Sequence, residues 1–247
     1  SAAWAEAAGP VALYRATGIV LRTYKVAEAD RIAVVLTVEH GKIRTVVKGV
    51  RKTASRHGLR LEPLVHVALQ LYRGRELDTV TQVQGIDTFP SIRGDLDRLA
   101  RAAVLLEAVE VSTLDREPDE RRYQLLLGAL RAMESRDRPL LVSGMLLKLL
   151  LLDGVLPVLD HCTGCGRPDE LVALDPATGG ARCRACRSGM LLTPRGFELA
   201  RMMLGGRLGS ALNEERSPET EGLDRVVLST VEHHLERRLR AATVNTH

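Results

Sequence analysis

The four cysteines of the chain form two C-x2-C pairs, the first at Cys162 and Cys165 and the second at Cys183 and Cys186, with 17 residues between the pairs. A C-x2-C turn lets two sulfur atoms converge on one metal ion, and two such turns complete a tetrahedral set of thiolates. Because a closed four-thiolate site has no open position for a substrate, the spacing predicts one structural zinc ion. Two redox-type disulfide pairs or free buried thiols are the alternatives. His161 is not counted as a ligand, since adjacent residues rarely reach one tetrahedral centre.

A basic run covers a predicted strand at residues 42–50 and the loop that follows it. Between Gly41 and Leu61 the chain carries seven basic residues and no acidic one. They are Lys42, Arg44, Lys48, Arg51, Lys52, Arg56 and Arg60. Seven like charges repel one another unless a polyanion neutralises them, so the run predicts nucleic-acid binding, with a solvated surface loop as the alternative. If five of these residues neutralise phosphates of a single strand, log K should fall with log salt at a slope of about −3.5.

Aromatic residues make up only 3% of the chain. Proteins that bind single strands usually stack bases on aromatic rings, so this scarcity favours binding through phosphates, which carry no sequence information. Tyr24 and Tyr72 are the aromatic residues within the predicted strands, and each is either a barrel residue with a surface hydroxyl or a platform for one base. The candidate nucleic-acid-binding set comprises these two tyrosines, the seven basic residues of the run, Arg22 and Lys25.

The net charge of +4 hides an uneven distribution. Residues 1–85 carry a net charge of +6, whereas residues 86–161 carry −3. Hydrophobic residues at 45% and charged residues at 27% are close to globular averages, which argues against disorder, and four cysteines are too few for a disulfide scaffold. The most apolar stretch, residues 140–152, is shorter than a membrane span, and the first 13 residues do not resemble a signal peptide. We therefore expect a cytoplasmic protein that does not associate with membranes.

The first third of the chain has the pattern of β structure. Short runs rich in Val, Ile, Leu and Thr, two pairs of which are joined by tight glycine-bearing connections, predict strands at residues 17–24, 31–38, 42–50, 64–72 and 77–86. Five antiparallel strands in so few residues fit a small barrel, of which the OB type is the commonest five-stranded form. A small sandwich and an SH3-like barrel are the alternatives.

Helical periodicity replaces the β pattern after Pro90. Apolar residues at spacings of three and four, with capping residues at Thr193 and Ser217, predict helices at 95–114, 120–135, 140–152, 194–204 and 218–242. The cysteine-bearing block from 162 to 190 is predicted to be short and irregular. The expected fold class is therefore α+β: an N-terminal extension (1–13), an OB-type barrel domain (14–88) and a helical domain (89–247) that carries the zinc-binding motif (160–190).

The sequence shows no catalytic constellation. It has no phosphate-binding glycine loop, no G-x-S-x-G and no H-E-x-x-H. We therefore expect a binding protein that is not an enzyme.

Three stretches of the chain resemble the bacterial RecO family of recombination mediators. TGIVLRTY begins at Thr17 and is followed by LTVEHG, VKGVRK begins at Val47 and is followed by LEPL, and LLLDGVLPVL begins at Leu150 and leads into CTGCG at Cys162. The order of these motifs matches the family over nearly the whole chain.

This resemblance implies an N-terminal OB-fold, a helical domain and a four-cysteine zinc motif. It also implies a mediator that binds single- and double-stranded DNA and anneals complementary strands. With RecR, such a protein helps to load RecA onto strands coated by single-strand-binding protein, and it would be associated with the nucleoid in the cytoplasm. A zinc-ribbon module of RNA binding or transcription is the alternative function.

Overall fold

The computed structural model describes residues 13–26, 31–47 and 61–243. These residues form two compact units. The barrel unit comprises the chain up to residue 88 together with residues 113–123. The helical unit comprises residues 89–112 and the chain from residue 124 onward. Residues 1–12, which include most of the predicted N-terminal extension, lie outside the described residues.

The barrel unit is a closed five-stranded barrel in the strand order β1-β2-β3-β5-β4. Its strands are β1 (Leu13–Lys25), β2 (Arg31–Thr37), β3 (Gly41–Val47), β4 (His66–Tyr72) and β5 (Asp78–Asp87). Neighbouring strands are antiparallel, except that β3 and β5 pair in parallel where the barrel closes, at Thr45 opposite Asp78 and Val46 opposite Thr79. This architecture confirms the predicted α+β class with an N-terminal five-stranded, OB-like barrel.

Apolar side chains fill the inside of the barrel because the strands alternate between inward and outward positions. In β4, Val67, Leu69 and Leu71 point inward and are buried. A bulge in β1 between Val20 and Arg22 shifts the register against β2, so that the outward face continues at Arg22.

Strand β1 begins four residues earlier than predicted, and it therefore brings a third aromatic residue into the barrel. The prediction that Tyr24 and Tyr72 are the strand aromatics was wrong in this respect, because Tyr14 stands in β1 opposite Leu71 of β4. The Tyr14 hydroxyl donates a 2.5 Å hydrogen bond to Oδ2 of Asp78, and the guanidinium of Arg73 lies 5.1 Å from the centre of the Tyr14 ring.

Asp78 is a fully buried carboxylate at the closure of the barrel. Besides Tyr14, Arg116 donates to both of its oxygens at 3.1 and 3.0 Å, and the Gly74 N–H donates at 2.9 Å. Burial alone would raise the pKa of Asp78, but the hydrogen bonds from Arg116, Tyr14 and Gly74 outweigh it and hold that pKa below its usual value. Burial and the bond to this carboxylate raise the pKa of Tyr14 in turn. The network keeps a charged group satisfied inside the barrel unit.

Residues 113–123 pack along β3 as part of the barrel unit. The Arg116 N–H donates to the Lys42 carbonyl oxygen at 2.8 Å, and Lys42 and Asp115 form a parallel bridge. Gly41 has a φ of +64°, and a Cβ at this position would lie 2.1 Å from the Glu117 carbonyl oxygen. Only glycine therefore allows this segment to approach the start of β3 so closely.

The helical unit contains eight helices among the described residues of the chain. They are α1 (Pro90–Arg93), α2 (Leu96–Ser112), α3 (Glu120–Ser135), α4 (Leu141–Leu152), α5 (Pro194–Leu204), α6 (Leu208–Ala211), α7 (Pro218–His234) and α8 (Arg240–Thr243), with the start of α3 lying in the barrel unit. Helix α4 is buried on most of its surface and packs against α2, α5 and α7, as its apolar composition predicts. Thr193 caps α5, and Ser217 forms a capping box with Thr220 at the start of α7.

Two predictions for the second half of the chain were wrong. The helix predicted at 218–242 ends at His234, since Glu236 has a φ of +50° and the Glu232 carboxylate accepts a hydrogen bond from the Leu239 N–H. The cysteine-bearing block also contains regular structure, a three-stranded sheet in the order β7-β6-β8. These strands are β6 (Leu171–Asp175), β7 (Gly180–Cys183) and β8 (Met190–Leu191).

Within the described residues, we find no helix whose length and apolar character would let it cross a membrane.

We expect Arg116→Ala to destabilise the protein by about 2–3 kcal/mol, because it leaves the buried Asp78 carboxylate without its charged partner. Arg121→Ala is the matched control, since Arg121 lies in the same segment and is exposed. Urea denaturation followed by circular dichroism measures both variants. Equal stability of the two would show that the ion pair contributes nothing to the fold.

The same pair should make the stability of the wild type depend on pH. Because the native pKa of Asp78 lies below its unfolded value, the stabilisation is complete above the unfolded pKa and is lost as pH falls through the native pKa. Arg116→Ala should therefore flatten the stability profile on the acid side of pH 4. Parallel acid profiles of wild type and variant would contradict this assignment.

Candidate metal centre and nucleic-acid interface

The four cysteines come together within the helical unit. Their Sγ atoms all lie within 4.8 Å of one another, and those of Cys165 and Cys183 are 3.7 Å apart. Four sulfurs bound tetrahedrally at 2.3 Å from one ion are about 3.8 Å apart, so the observed spacing fits a four-thiolate metal site. Cys162 and Cys183 are buried, Cys186 is partly buried and Cys165 is exposed. The donor set could therefore bind a metal ion near the surface.

The first C-x2-C turn is shaped by backbone hydrogen bonds. The Gly166 N–H donates to the Cys162 carbonyl oxygen at 2.8 Å, and Gly166 has a φ of +76°, which suits a residue without a side chain. The Thr163 N–H donates to the Ala181 carbonyl oxygen at 2.9 Å, which fixes this turn against β7. The strand thus positions the first cysteine pair as well as Cys183 at its own end.

The second turn is held by side chains of the sheet. Arg182 Nε donates to the Cys186 carbonyl oxygen at 2.9 Å, and the guanidinium of Arg182 lies over Gly164, where a Cβ would be 2.7 Å from it. Asp175 accepts hydrogen bonds from the Ala177 N–H and the Ser188 hydroxyl and so closes the connections on both sides of β7. Each C-x2-C turn is therefore fixed by contacts of the small sheet.

Cys162 and Cys186 differ in pKa because their hydrogen-bond partners differ. A hydrogen bond with the Cys183 backbone, helped by the Gly164 N–H, lowers the pKa of Cys162 to about 6. Hydrogen bonds with the thiols of Cys165 and Cys183 raise the pKa of Cys186 to about 12. Four thiolates this close together repel one another, so a full set requires a bound cation to neutralise it. His161 does not join the cluster; its Nδ1 lies 2.8 Å from Oδ1 of Asp160.

Two of the predicted nucleic-acid-binding residues form a row across the outside of the barrel. Arg22 of β1 and Arg44 of β3 both stand opposite Val34 of β2, one on each side of it. All three side chains lie on the face of the sheet opposite to Ala33, Val35 and Ile43; Arg22 and Arg44 are exposed there, whereas Val34 between them is buried. Strands lie about 4.8 Å apart, so the two backbones are about 10 Å from each other.

Tyr24 lies next to this row. It stands opposite Ile32 of β2, two residues beyond Arg22, and the Arg22 guanidinium is 5.5 Å from the centre of its ring. The ring is partly exposed. Lys25, the last residue of β1, is exposed opposite Arg31.

Lys42 and Arg44 share one acidic partner. Lys42 Nζ lies 3.2 Å from Oδ1 of Asp115, and Arg44 Nη2 lies 3.6 Å from Oδ2. Although this part of the sequence contains no acidic residue, the fold therefore places one beside its first two cations.

Tyr72 is not brought to the row. It stands opposite Leu13, at the start of β1, whereas Tyr24 is at the other end of that strand. Eleven residues of extended chain correspond to roughly 35 Å. The other basic residues of the run lie outside the described residues: Lys48, Arg51, Lys52, Arg56 and Arg60.

The acidic partners of the barrel cations come from distant positions of the chain and were not predicted from the sequence. Asp115 contacts Lys42 across more than 70 positions of the chain, and Arg116 reaches Asp78 across 38. Only the charge-dense run from Asp115 to Glu120 marks this segment in the sequence, and its alternation of signs does not show where the segment folds.

Comparison with known proteins covers nearly the whole chain. A family model described as the N-terminal part of recombination protein O matches residues 11–89, and one described as its C-terminal part matches residues 93–242. A curated protein named DNA repair protein RecO, from Frankia casuarinae, is 41% identical over 236 residues, which cover 93% of this chain and 96% of that protein.

We expect Cys162→Ser and Cys183→Ser to remove bound metal from the purified protein, because a three-thiolate set loses most of its affinity. Elemental analysis of zinc-supplemented protein measures the metal content, and His161→Ala is the control that should leave it unchanged. Cobalt(II) added to the metal-free wild type should give the absorption bands of a tetrahedral thiolate site. Retention of metal in both serine variants would exclude the four-cysteine site.

Proposed function

The chain belongs to the RecO family, which gives it a role in DNA repair and recombination, and from this premise we propose that it is a DNA-binding mediator that anneals complementary strands. We propose that it binds both single- and double-stranded DNA and catalyses no covalent reaction. The observation that carries the proposal is the row of Arg22 and Arg44 on the outside of an OB-like barrel, in a chain whose basic run continues directly from β3.

Annealing places a physical requirement on the binding surface. Two strands approach each other only when their phosphates are neutralised, and they pair only when their Watson–Crick edges stay accessible. Cations at the row can neutralise phosphates without contacting bases. The basic run supplies the further cations that we assign to the same function: Lys48, Arg51, Lys52, Arg56 and Arg60.

Aromatic stacking has a minor part in this proposal. Tyr24 lies beside the row and is partly exposed, so it can stack on one base, while the Arg22 guanidinium extends the same platform. Tyr72, the last residue of β4, stands opposite the start of β1 and would contact a different part of a bound strand. One or two stacking positions hold a strand less firmly than a row of them, which suits a protein that must release it.

We propose that the metal at the four cysteines is a single zinc ion with a structural role. The closed thiolate set leaves no position for substrate, and the three-stranded sheet around it has strands of only five, four and two residues. A sheet of this size lacks a core of its own, so a bound ion would contribute to its folding. We propose the motif limits 160–190 within a helical domain of residues 89–247, after a barrel domain of residues 14–88, with residues 113–123 packed in the barrel unit.

The proposed partners follow from the family. We propose that the protein acts with RecR to help load RecA onto single strands coated by single-strand-binding protein, in the nucleoid of the cytoplasm. The distinguishing experiment adds RecR to an assay in which RecA assembles on coated single-stranded DNA. RecR and this protein together should shorten the lag before assembly, and neither should do so alone. Unchanged lag times with both proteins present would reject the mediator role.

A salt titration tests the electrostatic basis of binding. Fluorescence anisotropy with a labelled single strand and with a labelled duplex gives log K against log salt for each. Five phosphate contacts predict slopes of about −3.5 for the single strand and −4.5 for the duplex. A preference for structured RNA over both would favour the RNA-binding alternative.

Reversing four charges of the basic run tests its assignment. We expect the combined variant Lys48→Glu, Arg51→Glu, Lys52→Glu and Arg56→Glu to lose DNA binding and annealing, because four attractive charges become repulsive. The matched control reverses four exposed arginines of the helical unit: Arg131, Arg136, Arg237 and Arg238. The control changes the net charge equally and should keep most of the affinity. If the first variant binds DNA with wild-type affinity, the basic run does not bind DNA.

A further inference from the structure

The two basic residues of β3, Lys42 and Arg44, form ion pairs with one carboxylate, that of Asp115. Asp115 lies within 3.2 Å of Lys42 and 3.6 Å of Arg44, so a single negative charge contacts two of the predicted DNA-binding residues. The side chains of Asp115 and Arg44 are about half exposed, at 50% and 54%, while that of Lys42 is 12% exposed. An anion from solution can therefore reach the Arg44 side of this cluster.

Backbone contacts with β3 at residues 115 and 116 hold Asp115 in this position. Residue 115 forms a bridge with Lys42, and the next residue donates its N–H to the Lys42 carbonyl oxygen. The side chain of Arg116 is in turn bound to the buried Asp78 by two hydrogen bonds. The carboxylate is thus preorganised beside β3 and does not depend on a flexible loop to bring it there.

The nearby acidic residues have other surroundings. Asp119 accepts hydrogen bonds from the Arg122 N–H and Nε at the start of α3, and these bonds, against the opposing effect of burial, lower the pKa of Asp119. Glu117 is exposed, and its backbone packs against Gly41. Asp115 is therefore the carboxylate of this segment that lies within ion-pair distance of both cations of β3.

We propose that Asp115 is an internal competitor of DNA phosphate and sets the affinity of the barrel face for DNA. A phosphate that approaches Arg44 or Lys42 meets a negative charge at contact distance and must displace it to form its own ion pairs. This inference rests on the proposed DNA-binding function. It assigns to one acidic residue the task of weakening the contact of the barrel with each strand, so that a strand can be released after pairing.

The test compares Asp115→Asn with Glu117→Gln in the full-length protein. Both variants remove one negative charge from the same segment, but only the first removes it from contact with Lys42 and Arg44. We expect Asp115→Asn to bind labelled single-stranded DNA about fivefold more tightly at low salt, the factor expected for one unit charge at contact distance in water. Its salt slope should steepen by about 0.7, as for one additional phosphate contact. Glu117→Gln should change affinity less than twofold, since its charge is screened.

A double-mutant cycle shows whether the effect acts through Arg44. The gain in DNA affinity from Asp115→Asn should largely disappear when Arg44 is also replaced by Gln. Asp115→Ser serves as a second variant in case the asparagine disturbs the fold, which circular dichroism and thermal unfolding measure.

The outcomes separate this inference from the proposed function. If the wild type and all variants fail to bind DNA, the proposed function itself is wrong. If the wild type binds but Asp115→Asn binds equally or more weakly, or if the gain persists without Arg44, the competitor role is overturned. Weaker binding would mean that Asp115 only orients the two cations.

Discussion

The buried carboxylate of Asp78 is the contact on which the arrangement of the barrel unit depends. It stands at the parallel pairing of β3 with β5, which comprises only two residue pairs. A charged group at this place costs free energy unless it is fully bound, and the partners come from three parts of the chain: Tyr14, the Gly74 N–H and Arg116. Satisfying the carboxylate thus ties β1, the connection before β5 and the segment after α2 into one unit. The position of Asp115 beside the basic face follows from that tie.

The two predicted sites are built in different ways. The cysteine motif is local: its turns are shaped by glycines and by hydrogen bonds to a small sheet, of which β6 lies between the two cysteine pairs in sequence and β7 ends at Cys183. The basic face of the barrel is nonlocal, because strand pairing places Arg22 and Arg44 on either side of Val34 although 22 positions separate them. A local motif can be recognised from spacing alone, whereas a nonlocal one requires the register of the strands.

This difference explains how much could be predicted from the sequence. The five barrel strands, the helices α3 and α5 and the cysteine cluster follow from periodicity, caps and C-x2-C spacing, all of which are local signals. The early start of β1 was missed because Tyr14 and Arg15 interrupt an otherwise apolar pattern. The break after His234 was missed because Leu235 and Leu239 continue the helical spacing, while the contact of Glu232 with the Leu239 N–H turns the chain. The ion pairs of Asp115 and Asp78 had no local signal at all.

The charge of a segment and the charge of a surface are therefore different quantities in this protein. The chain from Gly41 to Leu61 contains no acidic residue, yet Lys42 and Arg44 both contact Asp115, and Arg31, opposite Val47 at the start of β2, is paired with Glu62. Strand residues have fixed neighbours, so the fold can supply them with counter-charges from distant positions. A surface whose cations are already partly neutralised binds a polyanion with less free energy than their number suggests, because each internal ion pair must be exchanged for one with phosphate. In the annealing role that we propose, weak, exchangeable contacts of this kind would let a strand be bound by its backbone and then released once its bases have paired.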